Sequence, residues 1–395
     1  MVVRIYLLNF VRKIIIYKEM RIKLSSDTLS NRLGALSKTL GAGNKNSSNI
    51  LNCFLFQVND GSLIITASDS ENTMTTTMSV IESDVTGMFA INAQFILNAV
   101  KDLADQPIDL IVDNDTRTVQ VKYANGAYDF VSDDPYAYPQ PQVLGDDITT
   151  VTMTSQVLLE NLERTIFATG DDQLRLVMNG VYFDLTPEHA VIVASDGHKL
   201  VRNQVLGVQV PEQKSFILPK KPALLLKNIL NRDETEVTIQ FDGRNAVFSF
   251  DAGVLNCRLI EGRYPNYNSV IPKDNPYLVG VDKKSLLGAL KRVIPFASDS
   301  SQLVRLDVEE NKITIKSEDL EFSTKAVEAV ACSYTGNKVA IGFKGSALQA
   351  VLSNLNFDEI TLCIGDPSRP CLVLPAEQPE GQDVLMLLMP MLLND

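Results

Sequence analysis

Two hydrophobic periods alternate along the chain, and the alternation occurs three times. The strand-like MRIKL from Met20 leads into Leu29, Leu33, Leu36 and Leu40. The passage recurs as TTVTM before Leu158, Leu162 and Ile166, and as YLVGV before Leu286, Leu290 and Ile294. Spacings of three and four put these side chains on one face of a helix, whereas a period of two marks a half-buried strand. Ser25 or Ser26, Ser155 and Asp282 stand where helix N-caps are expected. Leu29, Leu158 and Leu286 recur at about 128 residues, too long for a solenoid repeat and suited to a repeated domain.

A second helical pattern follows in each repeat: INAQFILNAVKDL from Ile91, LPKKPALLLKNIL from Leu218 and FKGSALQAVLSNL from Phe343. Helices are therefore expected over 25–46, 89–105, 155–170, 218–232, 282–297 and 343–356. Between and after them run alternating segments such as CFLFQV with SLIITAS, VYFDL with AVIVAS, and EITLCIG with CLVLPA, joined by Asp, Gly and Asn turns. That is a hairpin signature. The expected class is α+β, with three similar domains, each a doubled β-α-β-β-β unit. Pro- and Asp-rich stretches near 139–146 and 272–275 place the domains at 20–141, 142–272 and 273–395. Residues 1–19 fall outside the repeat, and Met20 is the expected natural start. Three such domains strung in an arc would present six helices on one face. Head-to-tail pairing of two chains would close the arc into a ring.

Charge adds a complication. Against 36 Lys+Arg stand 48 Asp+Glu, a net of −12, which speaks against phosphate binding. Within the expected helical segments the balance reverses. Arg32, Lys38 and Lys45 belong to the first, Lys101 to the second and Arg164 to the third. Lys220, Lys221 and Lys227 belong to the fourth, Lys291 and Arg292 to the fifth, and Lys344 to the sixth. Singly, each reads as a solvated residue; gathered on helices, they read as a positive lining for a phosphate backbone.

Other chemistry is sparse. Two histidines, His189 and His198, nearly exclude a His-based metal cluster, and neither metal nor cofactor is expected. Five scattered cysteines without a C-x-x-C pair suit a reduced, cytoplasmic protein. The apolar N-terminal run is broken by Arg4, Arg12 and Lys13, so no membrane association is expected. GAGNKN at 41–46 lacks the third glycine of a dinucleotide fingerprint, and there is no Walker A, H-E-x-x-H or G-x-S-x-G motif. The segment ASDGHKL (194–200) has three readings: a hydrolase using Asp196 and His198, a turn after AVIVAS, or a binding surface. The apolar C-terminus VLMLLMPMLLND reads as core or as part of a partner groove.

MRIKLSSDTL, ASDGHKL, EGRYPNYNSVIP, VRLDVEENKITI and the terminal LMPMLL, in this order, resemble the bacterial DNA sliding clamps, the β subunit of DNA polymerase III. The resemblance covers Met20 to the end. It implies a homodimeric ring around double-stranded DNA of any sequence, a non-catalytic processivity factor that tethers the polymerase. It also implies a hydrophobic pocket for peptide motifs of the DNA polymerase III catalytic subunit, the clamp loader and other clamp-binding-motif proteins. The matching positions are Arg175, Met178, Ser195, Gly197, His198, Lys199, Leu200, Pro265, Val270, Leu387, Met389, Pro390 and Met391. Tyr128 and Phe130 match the dimer seam on one side and Phe296 on the other. Leu176 and Val177 stand where the family carries aromatic residues on a DNA-facing loop. Besides the hydrolase, the rival reading is a β-rich scaffold that binds no DNA.

Overall fold

A computed structural model of the chain describes residues 19–40, 49–59, 61–83 and 86–393. The start at Met20 as opposed to Met1, the GAGNKN segment and Lys45 involve positions outside the described residues. Six α-helices are described: α1 (Ser26–Ser37), α2 (Ala93–Val100), α3 (Ser155–Thr165), α4 (Lys220–Ile229), α5 (Lys283–Val293) and α6 (Gly345–Ser353). Each repeat runs strand, helix, four strands, helix, three strands, with one extra short strand, Glu82–Ser83, in the first. The architecture is α+β, and it repeats three times.

All six helices are shorter than expected. Gly87–Asn92, Lys214–Pro219 and Val339–Lys344, whose apolar residues had read as helix starts, are strands feeding α2, α4 and α6. A short apolar run has no distinctive period, so tertiary pairing decides it. Two of the expected caps are in place. Thr28 N–H donates to Ser25 Oγ at 3.3 Å, and Ser285 N–H to Asp282 Oδ1 at 2.7 Å. For α3 the cap is Thr154, whose Oγ1 accepts from Val157 N–H at 3.3 Å. Ser155 is buried instead, its hydroxyl donating to the Asn231 carbonyl at 2.6 Å.

The chain forms two compact units. The first holds the described residues up to 144 with Asn245–Arg258. One of its sheets has the order Glu82–Ser83, Glu19–Ser25, Pro107–Asp113, Thr118–Tyr123, Gly126–Val131. The other runs Gly87–Asn92, Cys53–Asn59, Ser62–Ser68, Asn72–Ser79, Gly253–Arg258, Asn245–Phe250. Ile22, Leu24, Leu29, Leu33, Phe54 and Ile96 are fully buried in this unit, and Phe56 stacks on Phe89 with ring centroids 4.8 Å apart.

The second unit comprises Gly145–Arg244 and residues 259–393. Its large sheet runs Lys214–Pro219, Gly180–Leu185, His189–Ser195, Lys199–Leu206, Gln382–Leu388, Cys371–Pro375, Glu359–Ile364, Tyr277–Asp282. A four-stranded sheet has the order Thr324–Ala331, Lys312–Asp319, Leu303–Glu309, Val339–Lys344, and Thr149–Thr154 pairs with Glu236–Phe241. Leu286 and Leu290 of α5 and Leu348 and Leu352 of α6 pack into one core with Val201, Ile341 and Met386. The five cysteines are free, and Cys332 alone of them is not fully buried. Among the described residues, no helix is long and apolar enough to cross a membrane, and no group of three His, Cys, Asp or Glu side chains is placed to hold a metal.

Candidate functional site

ASDGHKL is the turn of a hairpin joining His189–Ser195 to Lys199–Leu206. Asp196 Oδ1 accepts the His198 and Lys199 amides at 2.8 and 2.9 Å, an Asx turn that closes the loop on its own side chain. Ser195 Oγ donates to the Lys199 carbonyl at 2.9 Å and accepts the Gly197 amide at 3.1 Å. Gly197 has φ of +91°, and a Cβ there would lie 2.9 Å from Arg175 Nη1, so the turn requires glycine. Burial pushes the Asp196 carboxyl up, but the ion pair with Lys199 and the two amides outweigh it and hold it below the usual carboxylate range. The serine hydroxyl and the carboxylate that a hydrolase would need are thus spent on the turn, which disfavours that reading.

Beside the turn, Lys199–Leu206 runs antiparallel to Gln382–Leu388 with Leu200 opposite Leu387. The segment from Tyr264 to Val270 closes over them and leaves a groove of about 550 Å³, open to solvent. It brings together Met178, Ser195, Gly197, His198, Lys199, Leu200, Pro265, Val270, Leu387 and Met389. Leu200 and Leu387 form a buried floor, while Val270 (51% exposed) and Met389 (38%) stand at the lip. Such a surface suits the apolar anchors of a linear peptide.

Three of the residues expected at the pocket lie outside this lining. Arg175 abuts Gly197 and is paired with Asp172 at 2.9 Å. The Met391 amide donates to the Gly342 carbonyl at 2.8 Å, turning the chain after Pro390 away toward Val339–Lys344. Conversely, Tyr264, Asn266 and Tyr267 line the groove and were missed. Tyr264 stacks on Tyr182 with centroids 4.6 Å apart, and Tyr267 donates to Asp184 Oδ2 at 3.0 Å. The tyrosine spacing in RYPNY was the available signal: two aromatic residues three apart in a polar loop.

The basic residues divide by commitment. Lys38 and Lys101 are exposed at the C-caps of α1 and α2, where the helix dipole favours a cation. Lys220, Lys291 and Lys344 are exposed, and Lys221 and Lys227 are half-buried along α4. Arg32 Nη1 reaches the Ala252 carbonyl at 3.4 Å, and Arg292 forms a two-pronged pair with Glu328, Nε to Oε2 being 3.0 Å. Arg164 corrects the sequence reading. It is 3% exposed, bonded to Gln382 Oε1 at 2.5 Å and Glu160 Oε2 at 3.0 Å, with Phe357 5.5 Å below the guanidinium. A phosphate cannot reach it. Sequence reasoning also passed over Lys283 and Lys284 on α5, which are held by the Leu355 carbonyl (2.5 Å) and Asp358 (2.8 Å).

Gly126–Val131 and Thr324–Ala331 are each the last strand of their sheet. Tyr128 and Phe130 stand opposite the buried Val121 and Val119, so they lie on the core face of the first of these strands. Tyr128 remains 37% exposed, and Phe296, in the single turn after α5, is 41% exposed.

Comparison with known proteins gives these features a family. Models of the DNA polymerase III beta subunit match in their native order: the N-terminal domain over 20–130, the central domain over 152–266 and the C-terminal domain over 268–392. The beta sliding clamp of Haemophilus influenzae is 25% identical across 90% of this chain and 97% of its own length, and that of Vibrio cholerae 24% across 93% and 99%. The solved DNA polymerase III beta subunit of Thermotoga maritima is 26% identical with a TM-score of 0.84, covering 95% of this chain and all of that one. A Pseudomonas aeruginosa sliding clamp solved with griselimycin is 21% identical over the same shares, and its TM-score is 0.88. The chain therefore belongs to the DNA polymerase III beta subunit family, the bacterial sliding clamps, and is a processivity factor in DNA replication with no catalytic task of its own.

Proposed function

We propose that two copies of this chain close into a ring around duplex DNA, and that replication and repair proteins dock by short peptides in the groove beside Leu200 and Leu387. The polymerase III catalytic subunit and the clamp loader are the expected occupants. The observation that carries the reading is the groove: an apolar floor and lip, set beside a hairpin turn that spends its polar atoms internally. Peptides bound in this manner anchor a few apolar side chains and gain orientation from the rim. Arg175, Pro390 and Met391 act from outside the lining, the first by bracing Gly197.

The hole would be lined by the helices, with Lys38, Lys101, Lys220, Lys227, Lys291 and Lys344 offered to phosphates. Arg32 and Arg292 would contribute less because each already has a partner. The domains would be 20–141, 142–272 and 273–395, Tyr128, Phe130 and Phe296 would sit at the dimer seam, and the ring would work in the cytoplasm. Calorimetric titration with a synthetic clamp-binding-motif peptide of the polymerase III catalytic subunit tests the groove. Met389→Asp places a charge on the lip and should weaken binding about tenfold or more while the melting temperature stays put. Unchanged affinity would sink the assignment.

A further inference from the structure

The chain that reaches the groove at Tyr264 first forms a second cleft. Leu259 N–H donates to the Arg244 carbonyl at 2.7 Å and Ile260 N–H to the Ile217 carbonyl at 3.0 Å, which ties this stretch to Lys214–Pro219, the first strand of the large sheet. Gly262, at φ +133°, bends the path between Glu261 and Arg263 in a conformation that residues with a side chain rarely adopt. The result is a cleft of about 680 Å³, open to solvent, with Tyr182, Ser215, Asp242, Glu261, Arg263 and Tyr264 in its walls. Tyr264 lines the groove as well, so the two hollows share a wall, and the stack of Tyr182 on Tyr264 braces it.

Charge distinguishes the cleft from the groove. Lys199, Arg175 and Arg202, in or beside the groove, are each paired within the chain: with Asp196, with Asp172 at 2.9 Å and with Asp383. In the cleft it is the carboxylates that are engaged. Asp242 accepts the Gly145 and Arg244 amides at 2.8 and 2.6 Å, and Glu261 lies 3.8 Å from the Arg244 guanidinium. Arg263 is exposed and makes no hydrogen bond or ion pair with the described residues. Its charge is felt at the cleft wall: burial pushes the Tyr182 phenol up, whereas Ser215 and Arg263 draw it down.

Resting on the groove as a peptide site, we propose that the cleft is a flanking subsite, in which Arg263 pairs with an acidic side chain next to the apolar anchors of a docked peptide. The groove supplies an apolar grip that many peptides can share, and the uncommitted guanidinium ranks them by charge. Its planar fork matches a carboxylate with two parallel N–H···O bonds. A basic side chain at the same place meets a like charge and is disfavoured. The pair lies at the surface, so its effect on affinity is modest and screened by salt.

Calorimetric titration with variants of a clamp-binding-motif peptide of the polymerase III catalytic subunit tests the subsite. The peptides have amidated C-termini and carry Glu or Gln either just before the first apolar anchor or just after the last. At one of these flanks the Glu peptide should bind the parent chain about threefold tighter than the Gln peptide at low salt, and the difference should fade at high salt. Arg263→Gln should erase the preference and Arg263→Glu should reverse it, while the Gln peptide stays within about twofold of its affinity for the parent. Equal binding of Glu and Gln at both flanks, or a preference that persists in Arg263→Glu, would overturn the subsite and leave the groove in place. So would a preference for a free C-terminal carboxylate over the amide with none for Glu over Gln. A parent chain that binds none of the peptides would remove the groove reading and the subsite together.

Discussion

Arg164 illustrates how much a residue's role depends on burial. From the sequence it was one of several helix cations; in the fold its guanidinium is enclosed by Glu160, Gln382 and Phe357. Burial lowers its pKa, and the attraction of Glu160 opposes that. Removing one partner of such a pair leaves the other uncompensated. Arg164→Ala should therefore cost about 3 kcal/mol in chemical denaturation. Its retention on DNA should match the parent's at temperatures where both are folded. A fully stable variant would contradict the structural assignment. The sequence could not separate Arg164 from Lys38 or Lys220, because a helix shows its inward face only through apolar residues. An arginine on that face looks the same as one on the outside.

At the scale of elements, the hairpin around Asp196 makes a pH prediction. Its carboxyl is held below the usual range, so the folded state binds the proton less well than the unfolded chain does. The contribution to stability is complete above the ordinary carboxylate pKa of about 4 and is lost as pH falls through the lowered value. Peptide affinity should therefore stay level from pH 7 down to about 5 and decline below about 4. Asp196→Asn should be weak already at pH 7 and flat across that range. A parent profile that declines at neutral pH would contradict the turn as the source. The repeat, the three strand-to-helix entries and most strands were legible, because apolar residues at period two or 3.6 report burial directly. Less legible were strands such as Asn72–Ser79 and Thr324–Ala331, whose threonines and charges carry little apolar pattern. The first of these is nonetheless buried at Thr73, Met74, Thr76 and Met78 and is paired on both sides. The groove was legible only in part. Its turn and C-terminal strand stand out, whereas Tyr264 and Tyr267 enter from a loop with no periodicity.

For the whole molecule, the net charge of −12 and a DNA partner are compatible if contact is loose and retention is topological. Basic residues gather on α4 and α5, and several are engaged by carboxylates or carbonyls of the same chain. Few cations remain to displace counterions, so simple phosphate binding would be weak and would not survive high salt. A ring escapes this limit because release requires a DNA end or an opened seam. The most direct measurement is retention of the loaded dimer on circular duplex DNA at high salt, before and after a single cut that linearises it. A closed ring predicts retention on the circle and rapid loss once the DNA is cut. Loss from both forms alike, or equal retention on both, would contradict encirclement.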